Sequence, residues 1–568
     1  MFEGLKILIS AEISAAMKNS DVKISSDVEV IANKLLSLNL FEVDRSAALK
    51  EVKLLKQSIC TINGKFAAII YNVLREIFAK TNEKSRQEKF DHLMDACYEE
   101  ILYNFELQNG GEFIKKPNFN IQVKLLLPLV KFELLLKYVD NNNNNSTEVK
   151  ELINNIQHYF NYPRLNQEDI YVIIENKIGI NKEFNLISYE IVPLDTKSGL
   201  MGEYFQLFIN LENEKLIFFA KFLNFNTEMT ESLLKMGPSK KEEFFYTVFL
   251  PKLKELGYGE LLDFAPNCYF SRVDDVIVLD DMTQEGFIGL TPNSKLDYET
   301  LKVSVEKIAK FHACGFILEE HLKQSGQSLY EYYKEYLQEV VFEPESVFYK
   351  TSVPHNEKVF MYLATTKFPD VCAKYSGDIL KEKYANGWRL FTEKIRKSET
   401  FKNGICHGDL HIGNLLFHSK SENTALIDFQ NLRYCPPAHD LLLFLYCTTL
   451  KETLDTYQNE LIAYYHSELT KHLRKFNLEI ENIFPKEEFH QSIHYMKSQC
   501  IFHAFFYNLV QMIEPTKRKE LLKNKENFSK YTADESSGAE LGWEDEAYRR
   551  VIKGFMELII ELCDDGHI

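Results

Sequence analysis

The stretch that decides the fold is HGDLHIGN at residues 407–414, followed by LIDFQ at residues 426–430. Asp409 and Asn414 stand five positions apart (414 − 409), and Asp428 ends a short apolar run. Phosphoryl transfer needs one carboxylate to accept the proton of the attacking hydroxyl, and further oxygen ligands to hold Mg²⁺. The order and spacing match the Asp-x-x-x-x-Asn loop of kinases. They predict an ATP- and Mg²⁺-dependent phosphotransferase, with Asp409 as catalytic base and with Asn414 and Asp428 as metal ligands.

The segments around this stretch predict an α+β protein. Aromatic and β-branched residues concentrate in short runs that are typical of strands, namely 190–194, 204–211, 216–223, 268–273 and 275–279. A helical pattern covers residues 240–256, and the pattern is mainly helical from about residue 296 onward. A small β-rich part followed by a large helical part indicates a two-lobed, protein-kinase-like fold.

Domain boundaries follow from these changes of pattern. We predict a kinase-like N-lobe at residues 166–283 and a helical C-lobe with the catalytic loop at residues 284–568. Residues 1–165 form a mostly α-helical N-terminal extension, with a degenerate tandem kinase remnant as an open alternative. Five consecutive asparagines, Asn141–Asn145, cannot bury apolar surface and indicate a flexible loop near the end of the extension.

Charge and composition exclude several partner classes. The chain has 568 residues, of which 45% are hydrophobic, and its formal charge is 66 − 83 = −17. Such an acidic surface repels nucleic acids and anionic membranes, so neither is expected as a partner. Charged residues interrupt the most apolar run, 123–139, so no membrane insertion is expected either. A monomer that binds a small-molecule alcohol substrate is the expected state.

Cysteine usage and the N-terminus predict a cytoplasmic location. The ten cysteines include no Cys-x-x-Cys pair, which suits free thiols in a reducing compartment better than disulfides or a zinc site. The first residues are partly apolar, but no small-residue cleavage site follows them, so a signal peptide is not expected.

The motifs after the catalytic loop carry a family resemblance. They are DFQ at 428–430, RY at 433–434, PAHDLL at 437–442 and LY at 445–446. With the loop itself, they resemble the ecdysteroid kinase-like (CHK kinase-like) family of the aminoglycoside phosphotransferase and choline kinase superfamily. The resemblance covers roughly residues 170–568 and leaves out the N-terminal extension. It implies a kinase-like fold that uses ATP and Mg²⁺.

The resemblance also implies roles for residues outside the loop. Lys221 matches the lysine that binds the α- and β-phosphates, and Glu242 matches its acidic partner, with Glu243 as the rival. Gly199 and Gly202 match a phosphate loop that lacks the full glycine pattern, so a plain hairpin turn stays open. The linker that meets adenine is matched by Asp280, Asp281 and Met282. His407 is implied to support the catalytic loop, and His312 to be a structural core residue.

The acceptor is predicted to be small. Only twelve positions separate Asp428 from Asp440 (440 − 428), and no Ala-Pro-Glu motif follows, so there is no room for a peptide-docking segment. The resemblance implies an ecdysteroid, another sterol or a xenobiotic alcohol. Aromatic and histidine side chains of the C-terminal region could line its site: Tyr446, Tyr495, Phe502, His503, Phe505, Phe506 and Tyr507.

Two alternatives remain. A catalytically silent pseudokinase that binds nucleotide or a partner would account for the incomplete glycine loop and the unusual extension. A hydrolytic transition-metal site at His407 and His411 would account for the His-x-Asp-x-His spacing, but it leaves Asn414 and Asp428 without a role.

Overall fold

The computed structural model describes residues 167–180, 182–194, 202–223, 237–291, 293–514, 516–518, 525–534 and 536–568, with positions 70, 71, 74, 130, 131, 135 and 165. The predictions for residues 1–165 therefore lie almost wholly outside the described residues, as do the asparagine run and Gly199. The chain divides into two compact units, residues 1–191 with 209–216 and residues 192–208 with 217–568. The domain boundaries given above stay predictions.

A five-stranded sheet follows the first described helix, Gln167–Ile178 (α1). Its strands are Leu186–Pro193 (β1), Gly202–Leu211 (β2), Lys215–Leu223 (β3), Cys268–Arg272 (β4) and Val276–Asp280 (β5), in the order β1-β2-β3-β5-β4. β3 pairs antiparallel with β5 and sets Lys221 opposite Ile277. Alternate side chains of β3, such as Phe218 and Ala220, are fully buried, as the two-residue period of a strand requires. The predicted strands are thus present within a few residues of their expected ends.

A helical segment connects β3 to β4. It consists of Pro238–Phe244 (α2), a π-helical turn at Phe245–Phe249 and Leu250–Glu255 (α3). The turn is widened just before Pro251, which has no N–H to donate to the preceding turn. Aromatic residues 244–246 and 249 are buried in the core, so this segment carries its apolar face into the same core as the later helices.

Short strands frame the catalytic loop. Phe287–Gly289 (β6), Leu415–His418 (β8) and Thr424–Leu426 (β9) form one small sheet, while Gly404–Cys406 (β7) pairs with Arg433–Cys435 (β10). Residues 407–414 therefore run from the end of β7 to the start of β8. Residues 427–432 run from β9 to β10, so the two functional stretches are held between the same few strands.

Helices make up most of the remaining described chain. They are Tyr298–Gln324 (α4), Leu329–Tyr332 (α5), Lys334–Leu337 (α6), Val347–Tyr362 (α7), Pro369–Cys372 (α8), Gly377–Lys394 (α9), Ala438–Thr448 (α10), Lys451–Arg474 (α11), Ile480–Ile483 (α12), Lys486–Gln511 (α13), Lys525–Ala533 (α14), Ser537–Glu540 (α15) and Glu546–Asp564 (α16). The long helices α4 and α11 pack together, as do α10 and α13. The predicted α+β class and the kinase-like order, β-rich before helical, are confirmed.

Two further expectations can be compared with the described residues. The eight described cysteines are free, and seven of them are buried. No helix in the described ranges combines the length and the apolar character needed to cross a membrane.

Candidate active site

The catalytic loop begins with a backbone conformation that needs glycine. Gly408 has φ +82°, and a Cβ there would collide with the carbonyl oxygen of Asn431. Asp440, in the first turn of α10, accepts hydrogen bonds from the N–H groups of His407 at 2.6 Å and Gly408 at 2.9 Å. The loop entrance is therefore fixed by a buried carboxylate 32 residues further along the chain.

Asp440 is held in its charged form. Burial alone would raise its pKa, but the hydrogen bond from His312 and the nearby imidazoles lower the pKa to about 2. His312 contacts Tyr465 through its other ring nitrogen at 2.7 Å. Both nitrogens are thus used within the core, which fits the structural role expected for His312.

His407 ties the two functional stretches together. Its Nε2 lies 3.0 Å from the carbonyl oxygen of Ile427, the residue before Asp428. Burial lowers the pKa of His407, so the neutral imidazole donates this hydrogen bond. The ring also packs on Phe429, with 4.6 Å between ring centroids. His407 is accordingly a positioning residue. Its Nε2 is engaged in this hydrogen bond and is not free to bind a hydrolytic metal.

Asp409 presents one occupied and one available oxygen. Oδ2 accepts a hydrogen bond from Asn431 Nδ2 at 3.0 Å. Oδ1 is buried, accepts no hydrogen bond of normal length from the described residues, and has His411 Nε2 at 3.6 Å. Asn414 donates its side-chain N–H to the Asp409 carbonyl oxygen at 2.8 Å. A carboxylate with one oxygen held by Asn431 and the other without a hydrogen-bond partner can accept a proton from a hydroxyl.

Lys221, on β3 of the five-stranded sheet, contacts Asp428 in the LIDFQ stretch at residues 426–430. Its Nζ lies 2.9 Å from Glu242 Oε2 and 2.5 Å from Asp428 Oδ1. Burial opposes its charge, but Asp428 and Glu242 together raise the pKa of Lys221. Glu243 is half-buried on the neighbouring position, so the pairing residue in the structure is Glu242. Burial raises the pKa of Glu242 although Lys221 works against it.

Asp428 has a strained backbone. Its φ of 68° and ψ of 60° lie in the left-handed region, which non-glycine residues rarely adopt. Gln430 Nε2 lies 3.2 Å from Asp428 Oδ2. The next residue, Phe429, stacks on Phe245 of the π-helical turn at 3.5 Å and packs edge-on against Phe311 of α4. Core packing of Phe429 therefore holds the turn that aims the Asp428 carboxylate.

The donor set fits Mg²⁺. Asn414 and Asp428 offer an amide and a carboxylate oxygen, the hard ligands that Mg²⁺ prefers. The Ile427 N–H donates to the Asn414 carbonyl oxygen at 3.0 Å, so these two ligands lie on adjoining backbone. Lys221 also sits between two carboxylates, which leaves an excess negative charge that a cation can neutralise.

The remaining nucleotide-site predictions are placed as follows. Gly202 begins β2 beside Lys221, and a Cβ there would lie 3.1 Å from Lys221 Cγ. Asp280 accepts hydrogen bonds from Asn267 and Tyr269, and Asp281 from Gln206, Thr283 and Gln284. Their carboxylates are thus engaged in the fold, so only the backbone of residues 280–282 is left to meet adenine. These roles stay predictions.

Sequence reasoning missed several residues around the loop. Asn431 orients Asp409, Gln430 contacts Asp428, and Asp440 anchors residues 407 and 408. Each of these contacts is visible only after the chain has folded. Of the aromatic candidates for the acceptor site, Tyr446, Phe502, His503 and Phe505 are buried in the core. Tyr507 instead lies near the loop, 5.7 Å from the His411 ring centroid, and burial followed by the charge of Asp409 raises its pKa.

A second ionic cluster lies behind the loop. Arg433 Nη1 lies 3.2 Å from Glu339 Oε2, with both side chains almost fully buried. Lys241 donates hydrogen bonds to the carbonyl oxygens of Gln338 and Leu432, each at 2.7 Å. Burial lowers the pKa of Lys241 to about 8, although Glu339 opposes the shift. No pattern in the sequence predicted this cluster.

Comparisons with known proteins bear on this site. The model of the ecdysteroid kinase-like family matches residues 206–478, and no curated protein matches the chain. Among solved structures, a choline kinase from Cryptosporidium parvum Iowa II is 14% identical, with 70% of this chain and 97% of that chain covered, at a TM-score of 0.35. An ethanolamine kinase from Plasmodium vivax is 11% identical, with 76% and 96% covered, at 0.30.

A macrolide 2'-phosphotransferase type I is 11% identical, with 64% of this chain and 95% of that chain covered, at a TM-score of 0.30. Because these identities and TM-scores are low, the assignment rests on the family match and on the motifs. The match spans Lys221, Glu242, Asp409, Asn414 and Asp428. The motifs predicted the ecdysteroid kinase-like family, and the model of this family matches residues 206–478 of the chain.

Proposed function

We propose that the protein transfers the γ-phosphate of ATP to a hydroxyl group of a small molecule. The observation that carries this proposal is the Asp409 carboxylate, which is oriented by Asn431 and whose other oxygen is buried without a hydrogen-bond partner among the described residues. The same loop is tied through His407 and Ile427 to Asp428, and Asp428 contacts Lys221. A proton acceptor and a phosphate-binding group are thus held by one connected set of hydrogen bonds.

Each residue has a defined part in the reaction. The acceptor oxygen attacks the γ-phosphorus, the bond from that phosphorus to the β-phosphate oxygen breaks, and ADP leaves. Asp409 accepts the hydroxyl proton as the new oxygen–phosphorus bond forms. Lys221 donates hydrogen bonds to the phosphates, and Glu242 keeps Lys221 in place when Asp428 turns to other ligands. Mg²⁺, held by Asn414 and Asp428, neutralises phosphate charge when it is bound.

The acceptor in this proposal is an ecdysteroid, another sterol or a xenobiotic alcohol. Support comes from the family name and from the short connection after Asp428. Residues 429–431 form a single turn, β10 follows at Arg433–Cys435, and α10 begins at Ala438. This leaves no extended segment for docking a peptide. A cytoplasmic location and a monomeric state stay predictions.

The test is transfer of labelled γ-phosphate from ATP to pooled steroids, plant glycosides and amino alcohols, with and without Mg²⁺. The proposal predicts a labelled organic phosphate that requires Mg²⁺ and disappears in Asp409→Asn. Magnesium-dependent ATP binding without any product from the pools would favour the pseudokinase alternative. Absence of ATP binding would contradict the proposal altogether.

A further inference from the structure

A second cluster of ligand-type side chains lies between the long helices α4 and α11. Glu306 comes from α4, and Glu468 and His472 come from α11. The last two stand four residues apart (472 − 468), so they share one face of the helix, one turn apart. One ligand atom from each of the three residues lies within 4.8 Å of the others. Glu468 and His472 are buried, and Glu306 is half-buried.

His472 gives an independent sign of a missing partner. Its side chain is only 2% exposed, and neither ring nitrogen has a hydrogen-bond partner among the described residues. Leaving a buried polar group without a hydrogen-bond partner destabilises the fold, so a ligand on this ring would remove that cost. A neutral imidazole without such a partner keeps a lone pair for a ligand.

We propose that Glu306, Glu468 and His472 bind a divalent transition-metal ion of the Zn²⁺ type. One imidazole nitrogen and two carboxylate oxygens form a three-residue donor set that Zn²⁺ accepts, with water as the fourth ligand. An imidazole in the set disfavours Mg²⁺, which takes oxygen ligands. The site is therefore distinct in chemistry from the proposed Mg²⁺ ligands Asn414 and Asp428.

Lys471 occupies part of this site in the structure. Its Nζ lies 2.8 Å from Glu468 Oε2, and its side chain is 59% exposed. An ion pair with so exposed a lysine contributes little stability, so the Lys471 side chain can move away when a metal binds. Lys471 is then a competitor of the metal, and its removal should tighten binding.

The consequence is a cross-link between two helices. A metal that binds the folded chain, but not the unfolded chain, stabilises the fold in proportion to the logarithm of its concentration over its Kd. The site joins α4, which carries Phe311 under the active-site turn, to α11. Bound metal should therefore raise the thermal stability of the helical region without entering the phosphotransfer step.

The test uses Co²⁺ as a spectroscopic probe and Zn²⁺ as a stabiliser, both in a large excess of Mg²⁺ that fills oxygen-only sites. The full-length chain should give the visible absorption of four-coordinate Co²⁺, and Zn²⁺ should raise its Tm. Glu306→Gln and His472→Gln should each raise the metal Kd at least about tenfold, as expected for loss of a ligand. Lys471→Gln should lower it.

The matched control is His494→Gln. His494 is exposed on α13 and lies next to His567, with 4.4 Å between ring centroids, so this exposed histidine pair is a competing Zn²⁺ site. Under the proposal, His494→Gln leaves the Co²⁺ spectrum and the Zn²⁺ stabilisation unchanged. Loss of the spectrum in His494→Gln, or wild-type metal affinity in Glu306→Gln, would overturn it. Glu306 is only half-buried, so its variant keeps the test valid if His472→Gln fails to fold.

Discussion

Two ionic clusters meet at consecutive residues of α2, and they differ in net charge and in solvent exposure. Glu242 belongs to the first cluster, in which Lys221 lies between Glu242 and Asp428. Lys241 belongs to the second, with Glu339 and Arg433. In the first, Asp428 keeps 20% of its side chain exposed. In the second, Arg433 and Glu339 are buried, and backbone carbonyl oxygens take the Lys241 hydrogens.

This difference indicates that the first cluster serves ligand binding and the second serves the stability of the fold. The first cluster holds one cation and two carboxylates, so it carries negative charge that bound Mg²⁺ can neutralise. The second holds two cations and one carboxylate, and the side chains of Arg433 and Glu339 are almost fully buried. Because Asp428 is partly exposed, a ligand can reach the first cluster, whereas the second cluster is enclosed in the fold. Changes in the first should alter turnover and nucleotide affinity, and changes in the second should alter the free energy of unfolding.

The largest expected effect is on turnover in Asp409→Asn. Losing a positioned general base costs about 10²–10⁴ in rate. The amide can still accept from Asn431, so the fold and the ATP affinity should stay close to wild type. Steady-state rates and ATP titrations measure the two quantities separately. The matched control is Asp370→Asn, an exposed aspartate, which should leave both unchanged; wild-type turnover in Asp409→Asn would refute the assignment.

Glu339→Gln should break the second cluster. Removing one partner of a buried ion pair leaves an uncompensated charge and costs about 3–5 kcal/mol. Denaturant unfolding should show this loss, whereas Glu345→Gln, an exposed ion-pair partner, should show no measurable change. If Glu339→Gln kept wild-type stability, the second cluster would not be structural.

The pH dependence of the free energy of unfolding should reveal the contribution of His439, which packs beside the second cluster. Burial, with Arg433 next in importance, lowers its pKa to about 4, against about 6.5 in an unfolded chain. Between these values the unfolded chain binds more protons, so stability is full above about pH 6.5 and falls as the pH approaches 4. The contribution of His439 to the free energy of unfolding is at most about 3.5 kcal/mol, at about 1.4 kcal/mol for each of the 2.5 pKa units (6.5 − 4).

The measurement compares His439→Gln with wild type by denaturant unfolding across this range. The variant should lose less stability on acidification, because it no longer gains a proton on unfolding. His490→Gln, at an exposed position, should follow the wild-type curve. A His439→Gln curve parallel to wild type would mean that His439 does not carry the effect.

The smallest expected effect is on the Mg²⁺ dependence of ATP binding in Asp428→Ala. Losing a metal ligand should raise the Mg²⁺ requirement at least about tenfold. The Lys221–Glu242 pair survives, so unfolding should change little. Calorimetric ATP titrations at several Mg²⁺ concentrations measure this, with Asp455→Ala, an exposed aspartate, as the control. An unchanged Mg²⁺ requirement would remove Asp428 from the metal site.

Local patterns predicted the parts of this site that are continuous in sequence. Three features could be predicted from the sequence: the apolar run before Asp428, the 409–414 spacing and the strand that ends near Lys221. They were predictable because strands and loops depend on neighbouring residues. The anchoring of residues 407 and 408 by Asp440 could not be predicted from the sequence, since it depends on a contact across more than 30 positions. The same holds for Lys241, whose hydrogen bonds to the carbonyl oxygens of Gln338 and Leu432 reach 97 and 191 positions along the chain.

The most direct test of the two-cluster comparison is Mg²⁺-dependent ATP binding by Lys221→Met and Lys241→Met, and it needs no knowledge of the acceptor. We predict that Lys221→Met loses at least about tenfold in affinity, since the phosphates lose a charged partner. Lys241→Met should bind ATP as wild type does, per folded molecule. Equal ATP affinity in Lys221→Met and wild type would contradict the assignment of the phosphotransfer site.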